Sequence, residues 1–318
     1  MSGRRVLVLG ATGFLGRHIC DAFTAAGHEV FRVSRGGSAD PAETGLALDL
    51  AATGPAELVA LLARARPQVL VNAAATVWQQ DPAAMRALNG EFVERLVGVL
   101  SASSARPRLV HLGSVHEYGP VSDGAELTER VQAAPTGVYG STKLRGSRAV
   151  LRASRTPGGP EAVVLRISNV CGPGAPPESL PGLVAARLAA REVPDTGEPG
   201  TLRLAPLDAE RDFVDVRNVA AAVLSAATAP REQICGRVVN IAAGRSVPVR
   251  ELVRRLVELS GADVRIVEDS APAGRAPGLD RQRVDISLAG ELLSWKPELT
   301  LDDALRAMLD AARTDAKQ

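Results

Sequence analysis

The chain has 318 residues, of which 46% are apolar and 23% charged, a composition that excludes a disordered or collagen-like protein. The 37 basic and 36 acidic residues leave a net charge of +1, so we expect neither a nucleic acid nor an anionic membrane as partner. Cys20, Cys171 and Cys235 lie far apart without CxxC spacing, which indicates neither a disulfide framework nor a zinc or other metal site.

The N-terminal segment is too short to be a secretory signal. Val6–Leu9 is an apolar run of four residues before Gly10, whereas a signal peptide needs about 7–15 apolar residues. No apolar run approaches the roughly 18 residues that a membrane span requires. We therefore expect a soluble, cytoplasmic protein.

Short apolar runs alternate with longer helical stretches through the first half of the chain. The runs predict strands at Arg5–Leu9, Glu29–Val33, Gly45–Leu48, Val69–Asn72, Leu109–Leu112 and Ala162–Ile167. The stretches between them predict helices near Phe14–Ala26, Pro55–Ala65, Pro82–Ser101 and Tyr139–Ser154. Apolar strands that alternate with helices are typical of a parallel sheet covered on both faces. We therefore predict an α/β fold with a Rossmann-type doubly wound parallel sheet.

A segment rich in turn-forming residues, Cys171–Pro181, ends this regular alternation. Beyond it the sequence predicts strands near Thr201–Leu204, Val238–Ile241 and Val264–Val267, and a helix near Val249–Ser260. We predict a sheet domain over residues 1–170 with a return segment near 211–243. A smaller mixed α/β lobe is predicted over residues 171–210 and 244–318.

A glycine motif, Gly10-Ala-Thr-Gly13-Phe-Leu-Gly16, follows the first predicted strand and opens the first predicted helix. Gly10 permits a tight turn, Gly13 lets a pyrophosphate approach the backbone, and Gly16 lets helix and strand pack closely. The free N–H groups of the helix N-terminus favour phosphate at this point. An ordinary tight turn is the alternative. The motif predicts a dinucleotide site whose residues are Gly10, Thr12, Gly13, Phe14, Leu15 and Gly16.

The end of the second predicted strand distinguishes NADP from NAD. An acidic residue there would bind the ribose 2′-hydroxyl of NAD and repel a 2′-phosphate, but the sequence has Ser34 and Arg35. Ser34 can donate to a phosphate, and Arg35 can pair with it and stack on adenine. We therefore favour NADP(H) over NAD, with a solvated loop arginine as the alternative.

Two further segments follow predicted strands at the edge where a cofactor passes. Asp49 and Leu50 can hold the adenine edge, although Asp49 can equally cap a helix. Ala73, Ala74 and Ala75 are small and leave space for the cofactor's backbone.

The candidate catalytic residues are Ser114, Tyr139 and Lys143. Tyr139 and Lys143 are four residues apart in a predicted helix, so their side chains share one face. We expect the ammonium to lower the pKa of Tyr139 toward a range useful for acid–base chemistry and to bind the nicotinamide ribose. Ser114 follows the fifth strand, at the carboxyl end of the sheet, where ligands bind and its hydroxyl can hold a substrate oxygen. A surface Tyr–Lys pair is the alternative, and it is weakened because the chain has only two tyrosines.

Five motifs occur in order: Gly10–Gly16, the Ser114 loop, Tyr139–Lys143, Arg166–Gly174 and Arg211–Val219. Together they resemble the extended short-chain dehydrogenase/reductases, the NAD(P)-dependent sugar-nucleotide epimerase/dehydratase family, over almost the whole chain. The resemblance implies an NADP-binding sheet domain, a substrate-binding second lobe and a nucleotide-diphosphate sugar between them. It implies that Asn169 contacts the substrate and that Arg211 reaches the diphosphate. Their alternatives are a turn-forming Asn and a surface ion pair with Asp212 or Asp215.

The resemblance also implies a homodimer in which two helices of each copy form a four-helix bundle. The predicted helices near Pro82–Ser101 and Tyr139–Ser154 would provide the contact. Phe92, Leu96, Val99 and Leu100 form an apolar stripe for it, although the same stripe can be core.

The loop after the fifth strand separates the reactions of this family. Its 4,6-dehydratases carry Thr-Asp-Glu where this sequence, aligned on Tyr118-Gly119, has Ser114-Val115-His116. The missing acid pair disfavours dehydration and leaves reduction or epimerisation. The Gly-Ser-x-x-Glu-Tyr-Gly form resembles GDP-4-keto-6-deoxymannose reductases and related nucleotide-sugar 4-ketoreductases, with His116 as a departure that can contact the sugar.

We therefore predict an oxidoreductase of deoxysugar biosynthesis. It would use NADPH to reduce the C4 keto group of a nucleotide-diphosphate 4-keto-6-deoxysugar. The alternatives are an NAD-dependent nucleotide-sugar 4-epimerase and a non-catalytic NADP-binding sensor or scaffold.

Overall fold

The computed structural model describes residues 3–36, 44–77, 81–121, 125–190, 200–269 and 281–316. Its largest sheet contains seven parallel strands, and its spatial order is β10-β6-β5-β4-β1-β2-β3. With numbers in chain order, these strands are β1 (Arg5–Leu9), β2 (Glu29–Ser34), β3 (Thr44–Ala47), β4 (Val69–Asn72), β5 (Arg108–Ser114), β6 (Ala162–Ile167) and β10 (Arg237–Ile241). The doubly wound parallel sheet is confirmed.

The direction of strand progression reverses at β1, which lies between β2 and β4. In open α/β sheets such a reversal leaves a crevice at the carboxyl ends of the strands, where ligands bind. Leu9 pairs with both Val33 and Asn72, so the three strands end side by side. The glycine motif and the segments after β2 and β4 therefore meet at one edge.

Helices cover both faces of the sheet because successive side chains of each strand point to opposite sides. Val6 and Val8 pack with α1 (Phe14–Ala25) and α7 (Val216–Thr228) on one face. Leu7 and Leu9 pack on the other face with α2 (Pro55–Ala65), α4 (Phe92–Ala102) and α5 (Val138–Arg155). Within the described residues, no helix combines the length and apolar character that a membrane crossing requires.

The second lobe has a core of its own. A three-stranded sheet joins β7 (Asn169–Cys171), β9 (Glu210–Asp215) and β11 (Ser246–Pro248), and a parallel pair joins β8 (Gly200–Leu204) and β12 (Val264–Glu268). Around them pack α6 (Leu180–Ala189), α9 (Val249–Ser260) and α11 (Leu301–Asp315). The predicted lobe also includes residues 191–199 and 270–280, which lie outside the described residues.

The chain enters this lobe three times. After β9 it returns to the main sheet through α7, the short α8 (Arg231–Ile234) and β10, and then it leaves again through β11. The short α10 (Ser287–Leu293) packs on β10 and α7, and α11 lies back in the lobe. The two lobes are therefore interleaved in sequence.

The predicted helix over Pro82–Ser101 is correct in position but not in continuity. It consists of α3 (Pro82–Arg86), a π-helical turn at Ala87–Glu91, and α4. The stripe of Phe92, Leu96, Val99 and Leu100 is at most 7% exposed and packs in the core of a single chain. The alternative that the stripe is core is therefore correct, and these four side chains do not support a dimer contact because they pack against their own sheet.

Candidate active site

The glycine turn after β1 has the shape that a dinucleotide requires. Gly10 has φ +78°, and a Cβ there would lie 2.7 Å from the Cα of Ala74. A Cβ on Gly16 would overlap the carbonyl oxygen of Gly10, whereas one on Gly13 would meet only that oxygen, at 3.3 Å. Gly10 and Gly16 are thus required by close packing, and Gly13 leaves an open side for a ligand.

The first turn of α1 also fits a pyrophosphate. Gly13 is its N-cap, no side chain caps the helix, and the first turn carries no acidic residue. Among the described residues no side chain accepts from its N–H groups, which can therefore donate to a bound anion. The predicted neighbours lie at this turn, where Thr12 is exposed and Phe14 and Leu15 are half-buried.

The end of β2 lies against the glycine turn. The N–H groups of Gly10 and Ala11 both donate to the carbonyl oxygen of Val33, at 3.0 Å each. Ser34 follows as a buried residue and Arg35 as an exposed one. The structure therefore brings this Ser–Arg pair to the side of the dinucleotide site where an adenosine 2′-substituent would lie.

Asp49 and Leu50 point in different directions after β3. Asp49 is exposed, and its carboxylate accepts the N–H of Ala51 at 3.1 Å. The N-cap of α2 is Gly54, so Asp49 stabilises a turn and does not cap that helix. The Leu50 side chain is 5% exposed and packs in the core.

The alanine segment after β4 adjoins the glycine turn. The N–H of Ala73 donates to the carbonyl of Leu9 at 3.0 Å, and that of Ala74 donates to Oδ1 of Asn72 at 3.2 Å. Ala75, the next residue, is exposed. Asn72 therefore orders the loop by binding its backbone.

Ser114, Tyr139 and Lys143 come together at the carboxyl end of β5. Tyr139 and Lys143 are one turn apart on α5, and the Ser114 side chain lies close enough to the phenol to lower its pKa. Nζ of Lys143 donates to the carbonyl of Leu112, which holds α5 against β5. Ser114 is 4% and Lys143 2% exposed.

Burial controls the protonation of this pair. Burial raises the pKa of Tyr139 to about 12 and outweighs the Ser114 hydrogen bond, which lowers it. Burial also lowers the pKa of Lys143 to about 8, against the opposing charge of Glu117. The expectation that Lys143 lowers the pKa of Tyr139 is therefore wrong: the removal of water from the phenol has the larger effect. At neutral pH the phenol carries its proton.

His116 lies beside the candidate catalytic tyrosine. It is exposed, and its ring meets that of Tyr139 edge to face with 5.7 Å between the centroids. Its main-chain N–H donates to Oγ of Ser114 at 3.2 Å. The structure therefore places His116 at the mouth of the site.

Asn169 leaves the sheet next to Ser114. Ser114 pairs with Ile167 at the end of β5 and β6, and Asn169 follows two residues later. Its Nδ2 donates to the carbonyl oxygen of Asp212 at 3.0 Å and to Oε1 of Gln282 at 2.9 Å. Asn169 is thereby fixed by β9 and by a segment from the C-terminal part of the chain.

Arg211 is half-buried on β9, and its guanidinium donates to the carbonyl of Glu210 at 3.0 Å. The carboxylate of Asp215 pairs with Arg217 at 2.6 Å. That of Asp212 is fully buried and accepts main-chain N–H groups after β10, while burial raises its pKa to about 6. Both carboxylates proposed as alternative partners of Arg211 thus bind other groups.

The sequence did not predict a role for Glu117 or Arg166, which form a buried ion pair beneath Ser114. Nε of Arg166 donates to Oε2 of Glu117 at 2.9 Å, and Oε1 accepts the N–H of Ser114 at 2.9 Å. The guanidinium also lies over the Tyr118 ring, 4.3 Å from its centroid. The Ser-x-x-Glu spacing of a capping box was the available signal.

His111 and Asn72 form a second buried pair under α5. Nδ1 of His111 lies 3.1 Å from Nδ2 of Asn72, and Nε2 has no hydrogen-bond partner among the described residues. Burial, assisted by the charge of Lys143, holds the pKa of His111 well below its ordinary value. His111 is therefore neutral at physiological pH.

Asn89 connects the π-helical turn to the site. Its side chain accepts the N–H of Thr76 and donates to the carbonyl of the same residue, at 2.9 Å each. It also donates to Oγ1 of Thr142 on α5 at 3.3 Å. Asn89 thus joins the loop after β4 to the helix that carries Tyr139. In the described part of the chain no three His, Cys, Asp or Glu side chains cluster as metal ligands do.

Comparison with known proteins gives a consistent result. The family model described as "NAD dependent epimerase/dehydratase family" matches residues 6–242. A dTDP-6-deoxy-L-talose 4-dehydrogenase (NAD(P)(+)) from Kitasatospora kifunensis is 41% identical over 311 residues, which cover 98% of this chain and 96% of that protein. A GDP-6-deoxy-D-mannose reductase from Pseudomonas aeruginosa is 29% identical and covers 96% of each chain.

Among solved structures, RMD from Pseudomonas aeruginosa in complex with NADPH has a TM-score of 0.81 at 25% identity. The alignment covers 98% of this chain and 99% of that one. The likeness therefore extends through both lobes.

Proposed function

The chain belongs to the NAD dependent epimerase/dehydratase family and is an oxidoreductase of the extended short-chain type, and on this premise we propose its reaction. It reduces the C4 keto group of a nucleotide-diphosphate 4-keto-6-deoxysugar with NADPH. The observation that carries the proposal is the placement of Ser114 at the carboxyl end of β5 beside Tyr139 and Lys143, which α5 presents on one face.

The protonation of Tyr139 supports reduction. A ketone that accepts hydride needs a proton on its oxygen, and a phenol with a pKa of about 12 holds that proton at neutral pH. The neighbouring loop has Val115 and His116 where dehydratases of the family carry an acid pair, and Val115 is buried. Elimination of water is therefore unsupported.

The roles of the side chains follow from their atoms. NADPH, when bound, supplies the hydride. Oη of Tyr139 transfers its proton to the C4 oxygen of the sugar, and Oγ of Ser114 donates a hydrogen bond to the same oxygen as negative charge develops on it. The ammonium of Lys143 holds the nicotinamide ribose and stabilises the tyrosinate that remains.

The preference for NADP(H) rests on the end of β2. Ser34 and Arg35 adjoin the glycine turn, and no acidic residue stands there to bind a 2′-hydroxyl. The NADPH complex of RMD agrees with this preference, and the name of the talose dehydrogenase, NAD(P)(+), covers both cofactors. NAD is the weaker cofactor in this proposal.

The substrate class rests on Asn169, Arg211 and the relatives. Arg211 presents a fork suited to a diphosphate, and Asn169 lies at the same edge as Ser114. The relative at 41% identity is named for a dTDP-linked 6-deoxysugar, and the one at 29% for a GDP-linked one. We place the dTDP sugar first.

The decisive experiment incubates the enzyme with NADPH and either a dTDP- or a GDP-linked 4-keto-6-deoxysugar. We expect stoichiometric NADPH oxidation and a 4-hydroxy product by NMR. Tyr139→Phe should lower kcat by roughly 10²–10⁴-fold and leave cofactor affinity unchanged.

Tyr118→Phe is the matched control, because it alters the only other tyrosine of the chain, which is bound to Asn240. This variant should keep its turnover. Interconversion of sugar epimers on a tightly held NAD, with no net NADPH oxidation, would establish a 4-epimerase instead.

We also propose a cytoplasmic homodimer, as the family resemblance implies. Light scattering at micromolar concentration should give twice the mass of the chain. A monomeric mass would contradict it.

A further inference from the structure

A single buried carboxylate bonds both elements that carry Ser114, Tyr139 and Lys143. Glu117 is 0% exposed and lies in the 3₁₀ turn Val115–Glu117 that follows β5. Besides the N–H of Ser114, its Oε1 accepts the hydroxyl of Ser147 at 2.8 Å. Ser147 is on α5, so the carboxylate connects the end of the strand to the helix.

The position of Ser147 on α5 is informative. Tyr139, Lys143 and Ser147 are spaced by four residues, so they lie along one face of the helix. A bond to Ser147 therefore fixes the rotation of the face that presents the phenol and the ammonium. The bond to the Ser114 N–H fixes the main chain that carries the Ser114 hydroxyl, which lies opposite this helix face.

The strand leaves room for this carboxylate. A Cβ on Gly113 would lie 2.6 Å from Oε1 of Glu117 and 3.2 Å from Oγ of Ser147. Gly113 is paired in register with Arg166, whose guanidinium holds the other carboxylate oxygen. The side chain is thus held from β5, β6 and α5 at once.

The carboxylate is also a fixed charge close to the site. The titratable or charged groups around it, by element, are Tyr118 in its own turn, Tyr139 and Lys143 on α5, and Arg166 on β6. His111 on β5 faces Lys143. Its negative charge raises the pKa of Lys143, against the larger effect of burial, and raises the pKa of Tyr139. It favours the ammonium and the protonated phenol together.

We propose that Glu117 is a positioning residue that sets both the geometry and the protonation of the Ser114, Tyr139 and Lys143 side chains. The assignment rests on the proposed function, because that function defines what these three side chains do. Glu117 itself reaches neither substrate nor cofactor; it acts through the main chain of Ser114, the hydroxyl of Ser147 and its charge.

Lys143 provides a test that needs no substrate, since the chain has only three lysines, Lys143, Lys296 and Lys317. Isotopically labelled lysine gives three side-chain signals whose pH titrations are followed by NMR, and Lys143→Met assigns one of them. In Glu117→Gln the midpoint of Lys143 should fall by about one pH unit, because an adjacent opposite charge is lost. The signals of Lys296 and Lys317 serve as internal references.

Ser147→Ala is the matched control, because it removes one bond to the same carboxylate without removing a charge. Its Lys143 midpoint should equal that of the wild type. An unchanged midpoint in folded Glu117→Gln overturns the proposal. Glu117→Gln leaves Arg166 without its partner and can thereby fail to fold. In that case Glu117→Gln/Arg166→Met removes both charges. A fall in the Lys143 midpoint in the double variant then supports the proposal, and an unchanged midpoint overturns it.

The pH profile of reduction gives the second readout. In Glu117→Gln the alkaline limb of kcat should move to lower pH, because Tyr139 loses its proton more readily. Glu117→Asp retains the charge, so its alkaline limb should lie near that of the wild type. An alkaline limb at the same pH in all variants contradicts the proposal. If the wild type turns over no sugar nucleotide, the proposed function fails, while the lysine titration still decides the role of Glu117.

Discussion

Two groups of paired charges, one in each lobe, stand in opposite environments. Beneath Ser114, Arg166 and Glu117 have side-chain exposures of only 6% and 0%. On α9 in the second lobe, Arg254 pairs with Glu251 and Glu258 while 52% of its side chain remains exposed. Exposed pairs contribute little to stability, whereas removing one partner of a buried pair leaves an uncompensated charge. The catalytic side therefore uses charge to fix positions, and α9 carries charge mainly as a solvated surface.

Arg166→Met should have the largest effect. It leaves the buried carboxylate of Glu117 without its guanidinium, and we expect the free energy of unfolding to fall by about 3–5 kcal/mol. Urea denaturation of both proteins measures it. The double variant Glu117→Gln/Arg166→Met should recover most of the lost stability. If Arg166→Met alone were as stable as the wild type, the buried pair would contribute no more to stability than the exposed one.

Lys143→Met should increase stability while abolishing turnover. The folded pKa of Lys143 is about 8, against 10.5 for a lysine in water, so between these values the unfolded chain binds the proton more tightly. The wild-type free energy of unfolding therefore rises as pH increases from 8 to 10.5, and this rise should vanish in the variant.

The interval between the two pKa values corresponds to a gain of roughly 3 kcal/mol in the free energy of unfolding when Lys143 is replaced. Loss of its hydrogen bond to Leu112 reduces this gain by about 1 kcal/mol. At pH 7 we expect a net gain of about 2 kcal/mol, measured by urea denaturation across the pH range. A variant less stable than the wild type at pH 7 would contradict this account.

Arg35→Ala removes an exposed charge that we expect to contribute to cofactor binding and not to stability. We expect NADPH affinity to fall roughly tenfold, about 1.4 kcal/mol, with NADH affinity and thermal stability unchanged because Arg35 is exposed. Fluorescence titration with both cofactors measures it. Equal affinities of the wild type for NADPH and NADH would oppose the NADP assignment.

Arg254→Met should have the smallest effect and is the matched partner of Arg166→Met. The same chemical change at an exposed site should leave the urea denaturation midpoint essentially unchanged. A loss similar to that of Arg166→Met would show that exposure does not separate the two lobes.

The elements that were predicted from the sequence are those that depend on a local pattern of residues. The strands at Arg5–Leu9, Val69–Asn72 and Ala162–Ile167 were predicted because continuous apolar runs between helices are typical of buried parallel strands. The π-helical turn at Ala87–Glu91 was missed because its apolar spacing matches the surrounding helix. No pattern predicted α7, which is rich in small residues and buried over most of its surface.

The site was predictable where one motif contains all the information. Tyr139 and Lys143 lie on one helical face because four residues separate them. The ion pair of Glu117 and Arg166 depends on the register that places Gly113 opposite Arg166, a long-range property. The pKa of Tyr139 likewise depends on burial, which the Tyr–Lys spacing alone does not reveal.

The return of β10 to the main sheet has a consequence for engineering this enzyme. A chimera that exchanges the second lobe needs five junctions: after β6, before α7, after β10, before α10 and before α11. A single crossover after β6 would pair one parent's β6 with the other parent's β10 at the sheet edge. Recombination between relatives should therefore transfer the lobe as three linked cassettes, with the α7–β10 segment and α10 kept from the parent that supplies the sheet.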